Sequence, residues 1–333
     1  MKTYSIQVAA CSIIATLLVT PVSASEWNHS TESQGGDGTL WANISGEPSA
    51  NAANLPYVFA ECAIGVHQSP IAINLTSNPI PISVNPKTQS LDNNPPAERE
   101  RHVNSLTVRY TPSTSTSEGP VFAKDEDNVY VFRNTGHAVQ VSFSPGYPGT
   151  LVIGKDVYPL VQLHFHTPSE HLVVTDHYPA GKQFAGELHF VHQRDDGRLA
   201  VLGVLLDDSH GSAGENQILK KIIEHTPREH DTYNDTGVGL SLDPSRLIPA
   251  EDSHVYAYAG SLTTPPCSEG VGWYVLSDPL KVQPAQIRQL QAFFPSNSRV
   301  IQNTATRTVE IHKHLHVDHE QDLDRHDGHH RRR

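Results

Sequence analysis

Apolar and polar residues alternate in short runs along most of the chain, with turn residues between the runs. "SPIAINL", "SLTVRYT", "VYVFRNT", "AVQVSF", "LVIGKDVYPLVQLHFH", "FAGELHFVHQ", "RLAVLGVLL", "HVYAYAGSL" and "VGWYVLS" read as strands, because a period of two sends alternate side chains to opposite faces. "NQILKKIIEHT" and "PAQIRQLQAFF" have a helical period instead. The second begins with Pro284, at a position where proline is favoured. The pattern predicts a mainly β fold, α+β in class, with short peripheral helices and no internal repeat. Asn85 to Asn104 and Thr111 to Pro120 interrupt it with Pro, Ser, Thr and charge, and read as surface loops.

The two ends depart from this pattern. An apolar run from Ile6 to Val22 follows Lys2 and closes on "VSA", which reads as a secretory signal over residues 1–24, cleaved after Ala24. A retained anchor and a lipoprotein site at Cys11 are the competing readings; the run continues well past Cys11, which favours the signal. Residues 25–311 then form one domain, which opens with an irregular stretch holding Trp27 and Trp41. From His312 to Arg333 the chain has seven histidines among acidic residues and too few apolar ones for a core. It reads as a disordered tail suited to extra divalent metal. His312, His314 and His316 would share a face if the last strand ran on into it.

Charge and cysteine content narrow the function. A net charge of −12 excludes a nucleic-acid partner, which needs a basic surface. Loss of the signal leaves Cys62 and Cys267. In an oxidising compartment they form one disulfide, closing a loop of roughly 200 residues and contributing about 5 kcal/mol in the chain-entropy picture. Two buried thiols are the alternative.

The chemistry lies in two strands. In "QLHFHTPSEH", His164 and His166 project from one face while Leu163 and Phe165 take the other. In "GELHFVH", Glu187, His189 and Val191 share a face. If the two strands pair antiparallel, His189 reaches an ion held by His164 and His166. Three neutral imidazoles make an open zinc site with a position left for water. No H-E-x-x-H run occurs, which argues against a zinc peptidase.

These two segments, with "AGSLTTPPCSEGVGW", "CAIGVHQSPIAI" and "RNTGHAVQV", resemble the motifs of the α-class carbonic anhydrases, from about Trp27 to Asn303. The resemblance implies a twisted, mostly antiparallel sheet of about ten strands, with one catalytic zinc ion at the base of a conical cavity. It implies reversible hydration of carbon dioxide to bicarbonate and a proton by hydroxide on that zinc, in a secreted or periplasmic protein. His164, His166 and His189 match the zinc ligands. Gln162 and Glu187 match acceptors that orient ligand imidazoles, and Asn303 the residue whose backbone carbonyl does the same. Glu170 matches the acceptor of the Thr263 hydroxyl, which orients the nucleophile. Val191, Val201, Leu262, Val271 and Trp273 match the apolar substrate wall, and Thr264 a polar neighbour of the substrate. His137 matches the proton shuttle, and Asn134, Thr135 and Gln140 the lining of the water path. Two departures stand out: His29 replaces an expected tyrosine, and "NTATRT" replaces an Arg-Pro pair expected after Asn303. The alternative reading is a non-catalytic zinc-binding or storage protein on the same fold.

Overall fold

The computed structural model describes residues 59–75, 106–114, 130–209, 214–230, 232–234, 240–249, 253–304, 307–312 and 315–318, with 27, 29, 37–39 and 41. Among them, thirteen strands form one mixed sheet. They are β1 (Leu106–Arg109), β2 (Tyr130–Asn134), β3 (Val139–Phe143), β4 (Thr150–Ile153), β5 (Asp156–His166), β6 (Gly186–Gln193) and β7 (Leu199–Asp207). β8 (Thr232–Asn234), β9 (Val255–Ser261), β10 (Glu269–Leu276), β11 (Leu280–Lys281), β12 (Glu310–His312) and β13 (Leu315–Asp318) follow. The main path runs β8-β2-β3-β5-β6-β7-β10-β9-β12. Most pairs are antiparallel, as expected; β7 with β10 and β11, and β1 with β13, are parallel. The sheet exceeds ten strands partly because the run "LVIGKDVYPLVQLHFH" is a hairpin. Its long second arm, β5, pairs with β4 through its first half and with β3 through its second.

Both predicted helices form, as α2 (Gln217–His225) and α3 (Pro284–Gln291), after a short α1 (Glu61–Ile64) that the pattern did not predict. Asn216 starts α2 by accepting the N–H groups of Ile218 and Leu219, each at 3.0 Å, which satisfies two donors that have no partner within the helix. The helices cover one sheet face. Ile218, Leu219, Ile222, Ile287 and Leu290 pack with Leu163, Phe165, Leu188, Phe190 and Leu202 in the main core. Each such side chain contributes about 1.5–3 kcal/mol when fully buried. The other face carries a second apolar cluster that includes Val191, Val201, Tyr258, Val271 and Trp273. Strand β6 is therefore buried on both faces, and polar groups on its second face need partners inside the protein.

The C-terminus corrects the expected boundary at His312. β13 pairs with β1, and Leu315 and Val317 are buried. A short apolar alternation, Leu315 and Val317, had been hidden among the histidines. His312 and His316 do not share one strand face: His312 ends β12 and is buried, while His316 lies on β13, exposed and beside Asp318; His314 lies outside the described residues. The signal, most of the two predicted loops and residues 319–333 lie outside the described residues. Within Thr111 to Pro120, Ser113–Thr114 pairs as a short strand with Ser241–Leu242.

Candidate metal centre

Strands β5 and β6 are antiparallel, with His189 opposite His164 and Glu187 opposite His166. Opposed residues share a face, so the three predicted ligands converge, and their ligand atoms lie within 4.8 Å of one another. Each ring is oriented through its other nitrogen. His164 donates Nδ1–H to Gln162 Oε1 at 2.8 Å, and His189 donates Nε2–H to Glu187 Oε1 at 3.0 Å. His166 donates Nδ1–H at 2.8 Å to the backbone carbonyl of Asn297. This corrects the assignment of Asn303, whose carbonyl instead accepts from Arg307. An arginine does follow the correct asparagine two positions on, as Arg299, but Val300 comes next rather than proline. The missing proline displaced the motif by six residues.

These bonds leave His164 Nε2, His166 Nε2 and His189 Nδ1 as bare lone pairs. His164 Nε2 and His189 Nδ1 face each other at 3.3 Å, and buried His166 Nε2 has no hydrogen-bond partner among the described residues. Three lone pairs aimed at one point repel unless a cation lies between them, so the residues fit a zinc ion. Burial keeps the rings neutral, as ligands must be; it pushes His166 down to about 4 and His164 well below its usual range.

Glu187 has four donors. Oε1 also accepts His171 Nδ1–H at 2.7 Å, and Oε2 accepts the backbone N–H groups of Glu170 and His171 at 2.9 and 2.8 Å. Burial opposes its charge, but His171 and His189 hold its carboxyl well below the usual range. Gly203, opposite His189 on β7, leaves room for it: a Cβ there would lie 3.1 Å from Glu187 Oε1. The sequence reading missed His171. Its Nε2 is 2.7 Å from the Tyr258 hydroxyl, whose oxygen is 3.0 Å from Ser69 Oγ. Its signal was its place directly after Glu170 in the histidine-rich run. Asn297 was missed as well, and it also acts through its side chain. Nδ2 donates to the carbonyls of His137 and Phe165, and Oδ1 accepts the Thr167 N–H.

A match to the eukaryotic-type carbonic anhydrase family covers residues 102–314. The chain belongs to this family. It is 38% identical to a carbonic anhydrase of a Nostoc species over 53% of this chain and 61% of that one. A Klebsiella pneumoniae carbonic anhydrase is 28% identical over 93% of this chain and 99% of that one. The first curated relatives are thus matched over 61–66% of their own length. Among solved structures, the Photobacterium profundum alpha-carbonic anhydrase superposes with a TM-score of 0.59 at 29% identity, covering 85% of this chain and 99% of that one. A Thermovibrio ammonificans alpha-carbonic anhydrase, in complex with the inhibitor sulfanilamide, gives 0.59 and 29%, with 85% and 97% covered.

Of the other residues assigned through the family resemblance, Glu170 and Trp273 lie beside His189 and Gln140 stands opposite His164. Glu170 is buried and accepts the Arg299 N–H at 2.8 Å; its Oε2 lies 3.9 Å from His189 Nδ1. Burial raises its pKa to about 7, against stabilisation of the charge by His189, the Arg299 N–H and, least, the Thr263 hydroxyl. Thr263 is itself buried. Val191, Val201, Val271 and Trp273 pack in one cluster with Leu262 at its edge, and Thr264 is half-buried beside them in sequence. The Thr263 segment is tied down on both sides. Ser261 Oγ accepts the Ser69 N–H at 2.9 Å, Cys267 N–H bonds to the Thr264 carbonyl, and Cys267 is joined to Cys62 by a disulfide. His137 stacks on Trp27 with centroids 3.7 Å apart. Asn134 and Thr135 build the turn beneath it: Asn134 Oδ1 accepts the Gly136 N–H, and Thr135 Oγ1 accepts those of His137 and Ala138. Gly136 has a φ of 79°, a region glycine adopts without strain. Gln140 stands opposite His164.

Proposed function

We propose that this chain is a carbonic anhydrase: a zinc-dependent lyase that interconverts carbon dioxide and bicarbonate. One observation carries this reading. Three imidazoles, each fixed through its other nitrogen, turn three bare lone pairs to one point. Zinc bound there would acidify a water into the neutral range, as carbonic anhydrase zinc is known to do, and so supply a hydroxide nucleophile.

The chain's own residues do the rest. Gln162, Glu187 and the Asn297 carbonyl hold the ligand tautomers. Glu170 accepts a hydrogen bond from the Thr263 hydroxyl, which leaves Thr263 an acceptor lone pair to orient the nucleophile. Val191, Val201, Leu262, Val271 and Trp273 offer an apolar surface to uncharged carbon dioxide, with Thr264 as its polar edge. His137 takes the product proton outward, since an imidazole suits transfer near neutral pH. Support for these roles is the place of Glu170 and Trp273 beside His189, and the packing of Val191, Val201 and Val271 with Trp273 in one cluster.

Hydration measured on zinc-loaded and chelator-stripped protein tests the function. Activity should follow zinc at one ion per chain, and sulfanilamide should inhibit it. One tightly held zinc without hydration would favour the storage reading. We also infer secretion, supported by the disulfide and the N-terminal apolar run. No helix among the described residues is long and apolar enough to cross a membrane.

A further inference from the structure

His29 is half-buried, with both ring nitrogens shielded from solvent, and the mechanism above assigns it no role. Two indoles frame it edge-on: Trp41 at 5.2 Å and Trp27 at 5.5 Å between centroids. Trp27 is the ring on which His137 stacks. Both His29 nitrogens are buried and have no hydrogen-bond partner among the described residues. An imidazole kept only to fill space among indoles would be costly, because each buried polar atom left unsatisfied costs about 1–3 kcal/mol. A phenyl ring would fill the same space without that cost. The nitrogens therefore point to a polar function. Burial lowers the basicity of His29 well below the usual range, and the nearby His166 and His137 lower it further. The ring thus stands in the fields of a triad member and of the shuttle, and it does not hold a charge.

We propose that His29 is a second imidazole on the proton path, passing a proton from the triad side to His137 while its own ring stays neutral. A neutral imidazole has one donor and one acceptor nitrogen. The nitrogen on the triad side takes a proton from a water there, whose O–H bond breaks to leave hydroxide, while the N–H on the far side breaks and its proton moves to His137, directly or through one water, leaving His137 as the cation. His29 is left in its other tautomer, and proton exchange with water restores the first. The role rests on the reading of His137 as the acceptor.

Tautomer populations and kinetics test it together. In the full chain with histidines labelled with nitrogen-15, NMR of both zinc-free and zinc-loaded protein should show His29 neutral and exchanging between tautomers. A single locked tautomer overturns the relay, and this readout needs neither a variant nor activity. His29→Phe should lower turnover in weak buffer roughly tenfold, below the hundredfold typical of a principal acid–base group, and leave kcat/KM unchanged. His29→Gln keeps a donor and an acceptor but cannot pass a proton, so it should be equally slow. Full recovery in His29→Gln would mean that His29 only orders water, which overturns the relay. Equal loss of turnover and kcat/KM would indicate a structural role and also overturns it. His137→Ala, measured alongside, separates the two ideas. If it leaves weak-buffer turnover unchanged, the shuttle reading falls and the relay with it; if it alone slows turnover, only the relay falls.

Discussion

Strand β6 carries two buried histidines, His189 and His192, and they differ in how their nitrogens are used. Burial lowers the pKa of both, to about 3 for His192. His192 faces the main core and is satisfied on both sides. Its Nδ1–H donates to the Ala200 carbonyl at 3.3 Å, and its Nε2 accepts from the Tyr110 hydroxyl at 2.6 Å. His189 spends one nitrogen on Glu187 and turns the other toward two more bare nitrogens. Burial and lowered basicity therefore do not distinguish a ligand from a core histidine. Uncompensated lone pairs that converge on one point do.

The largest effect should come from His189→Ala. Two imidazoles hold zinc weakly and in the wrong geometry. Zinc content near zero at neutral pH and hydration at background are expected, read by metal analysis and a rate assay on the same sample. Full zinc with full activity would mean that the third ligand is misassigned. A core histidine such as His192 should not behave this way.

Asn297→Ala should come next. It strips partners from the Thr167 N–H and from the carbonyls of Phe165 and His137, while the residue 297 carbonyl that orients His166 remains. A loss of roughly 2–4 kcal/mol in unfolding free energy is expected for two buried groups and one half-buried group left unpaired. Zinc affinity should fall rather than vanish. A change below about 1 kcal/mol, the worth of a single ordinary hydrogen bond, would show that these bonds are replaceable.

His192 provides a pH-dependent test of the same comparison. Its pKa is about 3 when folded, against about 6.5 unfolded. Between those values the unfolded chain binds the extra proton. The stability from keeping this ring neutral is complete above pH 6.5 and declines as pH falls toward 3. His192→Gln removes the titration. Between pH 7 and pH 5 the parent should lose about 2 kcal/mol more than the variant, since one pKa unit corresponds to about 1.36 kcal/mol. Urea unfolding of zinc-free protein at the two pH values measures this; parallel losses would count against it.

Much of the fold was legible because period-two alternation is a local signal. The triad was legible because H-x-H and E-x-H place their histidines on one face whatever the sheet's neighbours are. What the sequence hid was non-local. Asn297 reaches His166 across 131 residues of chain, and no spacing rule connects them. Its motif was anchored on a proline that this chain lacks. His171 was visible but had no recognisable task until Glu187 and Tyr258 came together around it. β13 escaped notice because it has only two apolar residues, and its parallel partner lies more than 200 positions away.

The smallest effect should come from removing residues 319–333. The strand β13 fixes where the cut belongs. A cut after Ile311 would remove Leu315 and Val317 from the core and the Asp318 partner of Arg109, and would confuse loss of packing with loss of the tail. A cut after Asp318 spares them and removes four histidines, His319, His326, His329 and His330, along with several acidic residues. We propose that these bind extra divalent metal outside catalysis. Neutral imidazoles suit zinc, copper or nickel, but any ordering of the segment on binding offsets part of the energy, so these sites should be weaker than the triad. Zinc titration of both forms at pH 7.5 should show the same tight site and fewer weak ones after the cut, with hydration unchanged. Weak binding should fade below about pH 6 as the imidazoles protonate. Equal stoichiometry in the two forms would remove the metal-binding role. Lost hydration in fully zinc-loaded, truncated protein would show that the segment serves the active site.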